Sequence, residues 1–165
     1  AHVSQSRLRE GGPGRAAQWI LEGHADWVKM RVLDLLHYRS YAESRDHVVR
    51  TVVGSPTPIT LFPNLRELAR NDAWVESTNK LGAPATYCQA FLAVDWLVER
   101  YGSAKVTEFL GRFARDSAPG DRWTDVFPIA YGRFADEFRA RLGTLVGSTP
   151  AAGGGNLAGL QPSCG

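Results

Sequence analysis

The spacing of hydrophobic residues along the chain predicts a protein built mostly from α-helices. One long helix is expected between residues 16 and 37, where apolar side chains recur at intervals of three and four. The apolar stripe of that helix consists of Leu21, Val28, Val32, Leu35 and Leu36. Alternating strand patterns are almost absent from the rest of the chain. The predicted fold class is therefore mostly α.

Turn-forming residues divide the remaining sequence into shorter helices. The predicted helices cover residues 41–53, 84–101, 103–115, 123–131 and 134–146. Asn64 can begin a further short helix, and an extended piece is expected at residues 59–62. Gly102 suits the left-handed position after a helix, and Ser103 suits the cap of the next helix. Residues 116–121 are expected to form a turn.

The last part of the chain differs in composition from the rest. Residues 147–165 are rich in Gly, Ala, Ser and Pro and show no periodicity, so they are predicted to be a disordered tail. Residues 1–146 are expected to form one helical subdomain. Cys88 lies in an apolar helix and Cys164 lies in this tail, so we do not expect a disulfide between them, and the sequence does not indicate a compartment.

The bulk composition is that of an ordinary globular protein. The 165 residues are 44% hydrophobic and 22% charged, with a formal net charge of +2. So small and evenly spread a charge argues against nucleic acid as a partner. No run of 18 apolar residues occurs, which predicts that this segment contains no membrane span.

One stretch of the sequence contains the candidate functional residues. Residues 19–26 read Trp-Ile-Leu-Glu-Gly-His-Ala-Asp, so that Glu22 and Asp26 stand one helical turn apart, away from the apolar stripe. His2 precedes Glu22 by 20 positions, with a glycine-rich break at residues 11–14 between them. A helix that folds back at this break would bring His2 and Glu22 together. Catalytic zinc sites use three protein ligands and leave one position for water.

These residues resemble the active site of gluzincin-type zinc metallopeptidases in the peptidase MA-like superfamily. In that family an H-E-x-x-H helix supplies two zinc ligands, and a W-L-x-E-G-x-A-E/D helix supplies the third. The resemblance implies that His2 and Glu22 bind Zn²⁺. It further implies that zinc-activated water hydrolyses a peptide bond in a peptide or protein substrate, within a domain whose helical C-terminal subdomain is this chain.

The resemblance also implies that the chain begins inside the family's first motif. Ala1 and His2 would be the last two residues of H-E-x-A-H, so the first histidine ligand and the general-base glutamate would precede them. The 165-residue chain alone is therefore expected to be catalytically inactive and to bind zinc weakly. The sequence does not distinguish an exopeptidase from an endopeptidase.

The same resemblance gives roles to further residues. Asp26 would accept a hydrogen bond from a zinc-bound histidine and fix its tautomer. The small residues Gly23 and Ala25 would let the helix that carries His2 and the helix that carries Glu22 approach closely around the metal. Residues 87–102 resemble the family segment in which a tyrosine opens a helix, which implies that Tyr87 donates a hydrogen bond to the oxyanion of the tetrahedral intermediate. A purely structural Tyr87, packed against Phe91 and Val94, is an equally weighted alternative.

Two alternatives to a peptidase remain open at this stage. The chain could be a non-catalytic relative that kept the fold without the metal, or a plain helical interaction module with an exposed Glu22 far from His2. His24 departs from the family pattern, which has a bulkier apolar residue there, and no role is assigned to His24, His37 or His47. The large aromatic residues expected in the core are Trp27, Trp96, Phe109, Phe113, Phe127, Phe134 and Phe138.

Overall fold

The computed structural model describes residues 16–115, 122–148 and 164. Within these ranges the chain forms helices and no β-strand, which confirms the mostly α prediction. The α-helices are α1 (Gln18–Leu35), α2 (Tyr41–Val53), α3 (Asn71–Leu81), α4 (Tyr87–Tyr101), α5 (Ser103–Arg115) and α6 (Tyr131–Ser148). Short 3-10 helices lie at Ile59–Leu61, Glu67–Ala69 and Ala83–Ala85.

Helix α4 is the centre of the fold. It makes its most extensive contact with α1 and also packs against α2 and α5. Most of its side chains are buried, including the polar Gln89 and Asp95. A helix that is apolar on nearly all sides has to be surrounded by other elements, and the sequence of α4 fits this position.

An aromatic cluster joins the start of α1 to α6. The ring of Trp19 is fully buried and stacks near Tyr131 and Phe134. Trp19 Nε1 donates a hydrogen bond to the Tyr131 hydroxyl at 3.0 Å, and that hydroxyl donates to the Leu65 carbonyl at 2.9 Å. These bonds satisfy the polar atoms of the buried Trp19 and the half-buried Tyr131, and they fix the first turn of α1.

The helix boundaries follow local chemistry. Helix α2 begins after a capping box in which Ser40 and Glu43 satisfy each other's backbone N–H groups. Helix α4 ends at Gly102, which has φ of 84°, a left-handed conformation that glycine adopts without strain. The predicted boundaries of α2, of α5 and of the end of α4 are therefore confirmed.

The predicted apolar stripe of α1 is wrong over its second half. Leu21 is buried, but Val32, Leu35 and Leu36 are 45%, 76% and 57% exposed. The buried residues of α1 lie mainly in its first half, where it contacts α4, whereas no residue from 31 to 38 is buried. Helical periodicity indicates that one side of a helix is apolar, but it does not indicate how far the core extends along that helix.

Several other expectations need correction. Residues 59–61 form a 3-10 turn rather than an extended piece, and residues 123–130 contain turns and no helix. The predicted helix over residues 84–101 is interrupted at Thr86, so that α4 begins at Tyr87. Trp27 and Trp96 are only half-buried. The Phe113 side chain and the predicted turn at 116–121 lie outside the described residues.

Cys88 and Cys164 form a disulfide, contrary to the sequence-based expectation. Their Cα atoms are 5.3 Å apart, within the range that disulfide geometry requires, and both residues are buried. Distance along the sequence is therefore a poor guide to pairing here, because the end of the chain returns to the first turn of α4. The other residues of the predicted tail after Ser148 lie outside the described residues.

None of the helices in the described ranges combines the length and the apolar character that a membrane span requires.

Candidate functional site

Helices α1 and α4 touch backbone to backbone at Gly23. A Cβ atom added to Gly23 would lie 2.3 Å from the carbonyl oxygen of Ala90 and 3.0 Å from a methyl carbon of Val94. Only a residue without a side chain fits this contact. It brings the turn of α1 that carries Glu22 next to the turn of α4 that follows Tyr87.

The two candidate acidic residues lie on α1 beside this contact. Glu22 is half-buried, and its Oε1 accepts a hydrogen bond from the Gln18 amide at 2.7 Å. Asp26 is buried and forms an ion pair with Lys29 at 2.7 Å. Residues three and four apart share a helix face, so Asp26 lies on the same side as both Glu22 and Gly23. The lysine compensates a carboxylate that would otherwise be costly to bury.

His24, which lies between Glu22 and Asp26 in the sequence, is buried. Its ring stacks on Trp27 with centroids 6.3 Å apart and planes 17° from parallel. Burial lowers the pKa of His24 to about 4, so its imidazole is neutral at pH 7. This buried, neutral histidine is one that the sequence-based interpretation left without a role.

Tyr87 is the first residue of α4 and is half-buried. Its ring meets the ring of Trp74 edge-on, with centroids 4.9 Å apart and an interplanar angle of 81°. Tyr87 precedes Ala90 by three residues and therefore lies on the same side of α4, about one turn from the Gly23 contact. The turn of α1 that carries Glu22 therefore lies against the part of α4 around Ala90, one turn after Tyr87.

A buried polar network around Asp95, in the second half of α4, was not predicted from the sequence. Asp95 accepts hydrogen bonds from the Tyr41 hydroxyl and, at 2.6 Å, from Arg45 Nε. Burial, together with the hydrogen bond to Asp95, raises the pKa of the Tyr41 hydroxyl. An aspartate inside the apolar run of α4 was the available sequence signal, because a buried charge requires a partner. This network joins α2 to α4.

Of the two proposed zinc ligands, Glu22 lies within the described residues. Glu22 supplies a carboxylate of the kind that zinc accepts, with the Asp26 carboxylate one turn away. His2, the other proposed ligand, lies outside the described residues, so the distance between His2 and Glu22 stays a prediction. In residues 16–115, 122–148 and 164, no three His, Cys, Asp or Glu side chains are grouped as metal ligands would be.

Comparison of the chain with models of known protein families, with curated proteins and with solved structures found no match.

Proposed function

We propose that the chain is the helical C-terminal part of a gluzincin-type zinc metallopeptidase domain. In this proposal Glu22 and His2 bind Zn²⁺, Asp26 orients a zinc-bound histidine, and Tyr87 donates a hydrogen bond to the reaction's oxyanion. The observation that carries the proposal is the backbone contact between Gly23 and Ala90, because it sets the Glu22 turn against the start of α4. When bound, zinc would acidify a water molecule and polarise the scissile carbonyl.

The surroundings of Glu22 support a ligand role. Glu22 is half-buried, and the Gln18 amide donates a hydrogen bond to its Oε1 at 2.7 Å, which helps to orient the carboxylate. A ligand held in one orientation loses less conformational entropy when it binds metal. The acidic partner one turn away, Asp26, is held in place by burial and by Lys29. Both carboxylates are thus held in place, which suits a metal ligand and an acceptor for the N–H group of a zinc-bound histidine.

A helical interaction module is a second candidate, and a different observation favours it. The end of α1 exposes Val32, Leu35 and Leu36, and Tyr38 beyond it is 78% exposed. Exposed apolar side chains in a contiguous group mark many protein contact surfaces. This surface lies at the other end of α1 from Glu22, so the two functions can be tested separately.

Zinc affinity tests the proposed ligand. We expect a longer version of the chain, extended upstream of Ala1 through the complete H-E-x-x-H motif, to bind zinc and to hydrolyse peptides. Glu22→Gln should lower its zinc affinity at least about 100-fold, measured by competition with a chromophoric chelator at pH 7, because a neutral amide replaces an anionic ligand. The 165-residue chain should bind zinc weakly and show no peptidase activity.

Glu76→Gln is the matched control for this experiment. Glu76 is an exposed helical glutamate that pairs with Lys80, so its replacement should leave zinc affinity unchanged. The proposal fails if the longer version binds no zinc. Zinc-dependent peptidase activity of the 165-residue chain alone would contradict the assigned ligand set.

Turnover tests the role of Tyr87. We expect Tyr87→Phe in the longer version to lower kcat about 100-fold, with KM and zinc content nearly unchanged, because one oxyanion donor is lost. Tyr101→Phe is the control, since Tyr101 lies at the far end of α4 and packs against Phe127. Equal turnover of the Tyr87 variant and the unaltered protein would remove Tyr87 from the mechanism.

A further inference from the structure

The Tyr87 side chain is held by its ring and not by its hydroxyl. Its ring contacts the edge of Trp74, but its hydroxyl makes no hydrogen bond to any other residue that the structure describes. Among the other tyrosines that the structure describes, the hydroxyls of Tyr41 and Tyr131 are engaged in structural hydrogen bonds, whereas those of Tyr38 and Tyr101 form none with described residues. A tyrosine with a fixed ring and a free O–H group has the properties of a preorganised donor.

Trp74 is well placed to fix that ring. It lies on α3 and is only 3% exposed, so its own position is set by the surrounding core. An edge-on arrangement at 4.9 Å is a favourable geometry for two aromatic rings. The contact limits the directions in which the Tyr87 ring can point.

A second contact joins the same two turns. The hydroxyls of Thr78 and Thr86 lie 3.2 Å apart, and Thr86 Oγ1 also donates to the Gly82 carbonyl at 3.2 Å. Thr78 follows Trp74 by one helical turn, and Thr86 immediately precedes Tyr87. Because Thr86 is completely buried, this hydroxyl pair holds the backbone at the start of α4 against α3 while Trp74 holds the ring.

We propose that Trp74 is a positioning residue for Tyr87, which keeps the phenol aligned for donation to the substrate's oxyanion. The inference rests on the proposed peptidase function. A small displacement of a catalytic group can lower the rate strongly, since the donor must meet the developing charge at hydrogen-bond distance.

A double-variant comparison in the longer version of the chain tests this inference. We expect Trp74→Leu to lower kcat about 10-fold, with zinc affinity and KM nearly unchanged. In a Tyr87→Phe background the same change should have little further effect on kcat, because Trp74 acts only through the Tyr87 hydroxyl. Trp74→Phe keeps an aromatic ring beside Tyr87 and should therefore retain most of the turnover. It also provides a folded variant for comparison if Trp74→Leu is unstable.

Fluorine NMR separates failure of this inference from failure of the proposed function. With 3-fluorotyrosine incorporated and the Tyr87 resonance assigned from Tyr87→Phe, Trp74→Phe should shift that resonance, whereas Trp96→Phe should not. Trp96 is the control because it packs against Phe134, on the α6 side of α4.

Three outcomes would overturn the inference. A Tyr87 resonance insensitive to Trp74, or an equal loss of kcat in both backgrounds, would overturn it alone. An unaltered longer version without peptidase activity would overturn the proposed function and this inference together.

Discussion

Gly23→Ala is expected to lower the free energy of unfolding by about 3 kcal/mol, the upper end of the usual cost of overfilling a packed interior. The added methyl group would lie 2.3 Å from the Ala90 carbonyl oxygen, and a backbone atom cannot move aside as a flexible side chain can. The two central helices would have to separate. Gly23→Leu should therefore yield no folded protein, because native stability is commonly only about 5–15 kcal/mol.

Gly111 and Gly143 provide the matched controls for the measurement by urea unfolding. Both are helical glycines, and an added Cβ would meet no atom within 4 Å at either position. Gly111→Ala and Gly143→Ala should each stabilise the protein by about 0.5–1 kcal/mol, since alanine favours the helix. If Gly23→Ala were also stabilising, α1 and α4 would not be in backbone contact.

Loss of the Cys88–Cys164 disulfide is expected to lower the free energy of unfolding by about 4 kcal/mol. The two residues are 76 positions apart, and a cross-link over a loop of this length removes much entropy from the unfolded chain. Cys164→Ser tests this without altering the first turn of α4. Urea unfolding with and without a thiol reductant gives the comparison.

Two results should accompany that loss. The unaltered protein in reductant should fall to about the stability of Cys164→Ser, and the variant itself should not respond to reductant. Unchanged stability of the unaltered protein in reductant, with both thiols shown free by mass spectrometry after alkylation, would show that the cross-link does not stabilise the fold.

Helix boundaries could be predicted from the sequence more reliably than the burial of the helices and the contacts between them. Helix α2 was predictable because Ser40 and Glu43 form a local capping box, and the end of α4 because Gly102 is a strong local stop. The burial of α1 was predicted wrongly, since the position of α4 along α1 depends on the Gly23 contact. The disulfide was missed for the same reason, because it joins segments that only the tertiary fold brings together.

The candidate site shows the same division between local and tertiary information. The spacing of Glu22 and Asp26 follows from helix geometry, and their shared face could be read directly from the sequence. The ring contact between Trp74 and Tyr87 could not, because it depends on the turn at Gly82, where φ is 78°. Asp95 was recognisable as a charge in an apolar run, but its partners Tyr41 and Arg45 lie about fifty positions away.

The disulfide has a topological consequence for the whole molecule. It closes a covalent ring that contains α4, α5 and α6, while α1, α2 and α3 lie outside the ring. Fluctuations that detach the first three helices are not restrained by the cross-link, because detachment leaves the ring intact. The cross-link therefore restrains opening only within the segment from α4 to α6, whereas the contact between α1 and α4 depends on non-covalent packing alone.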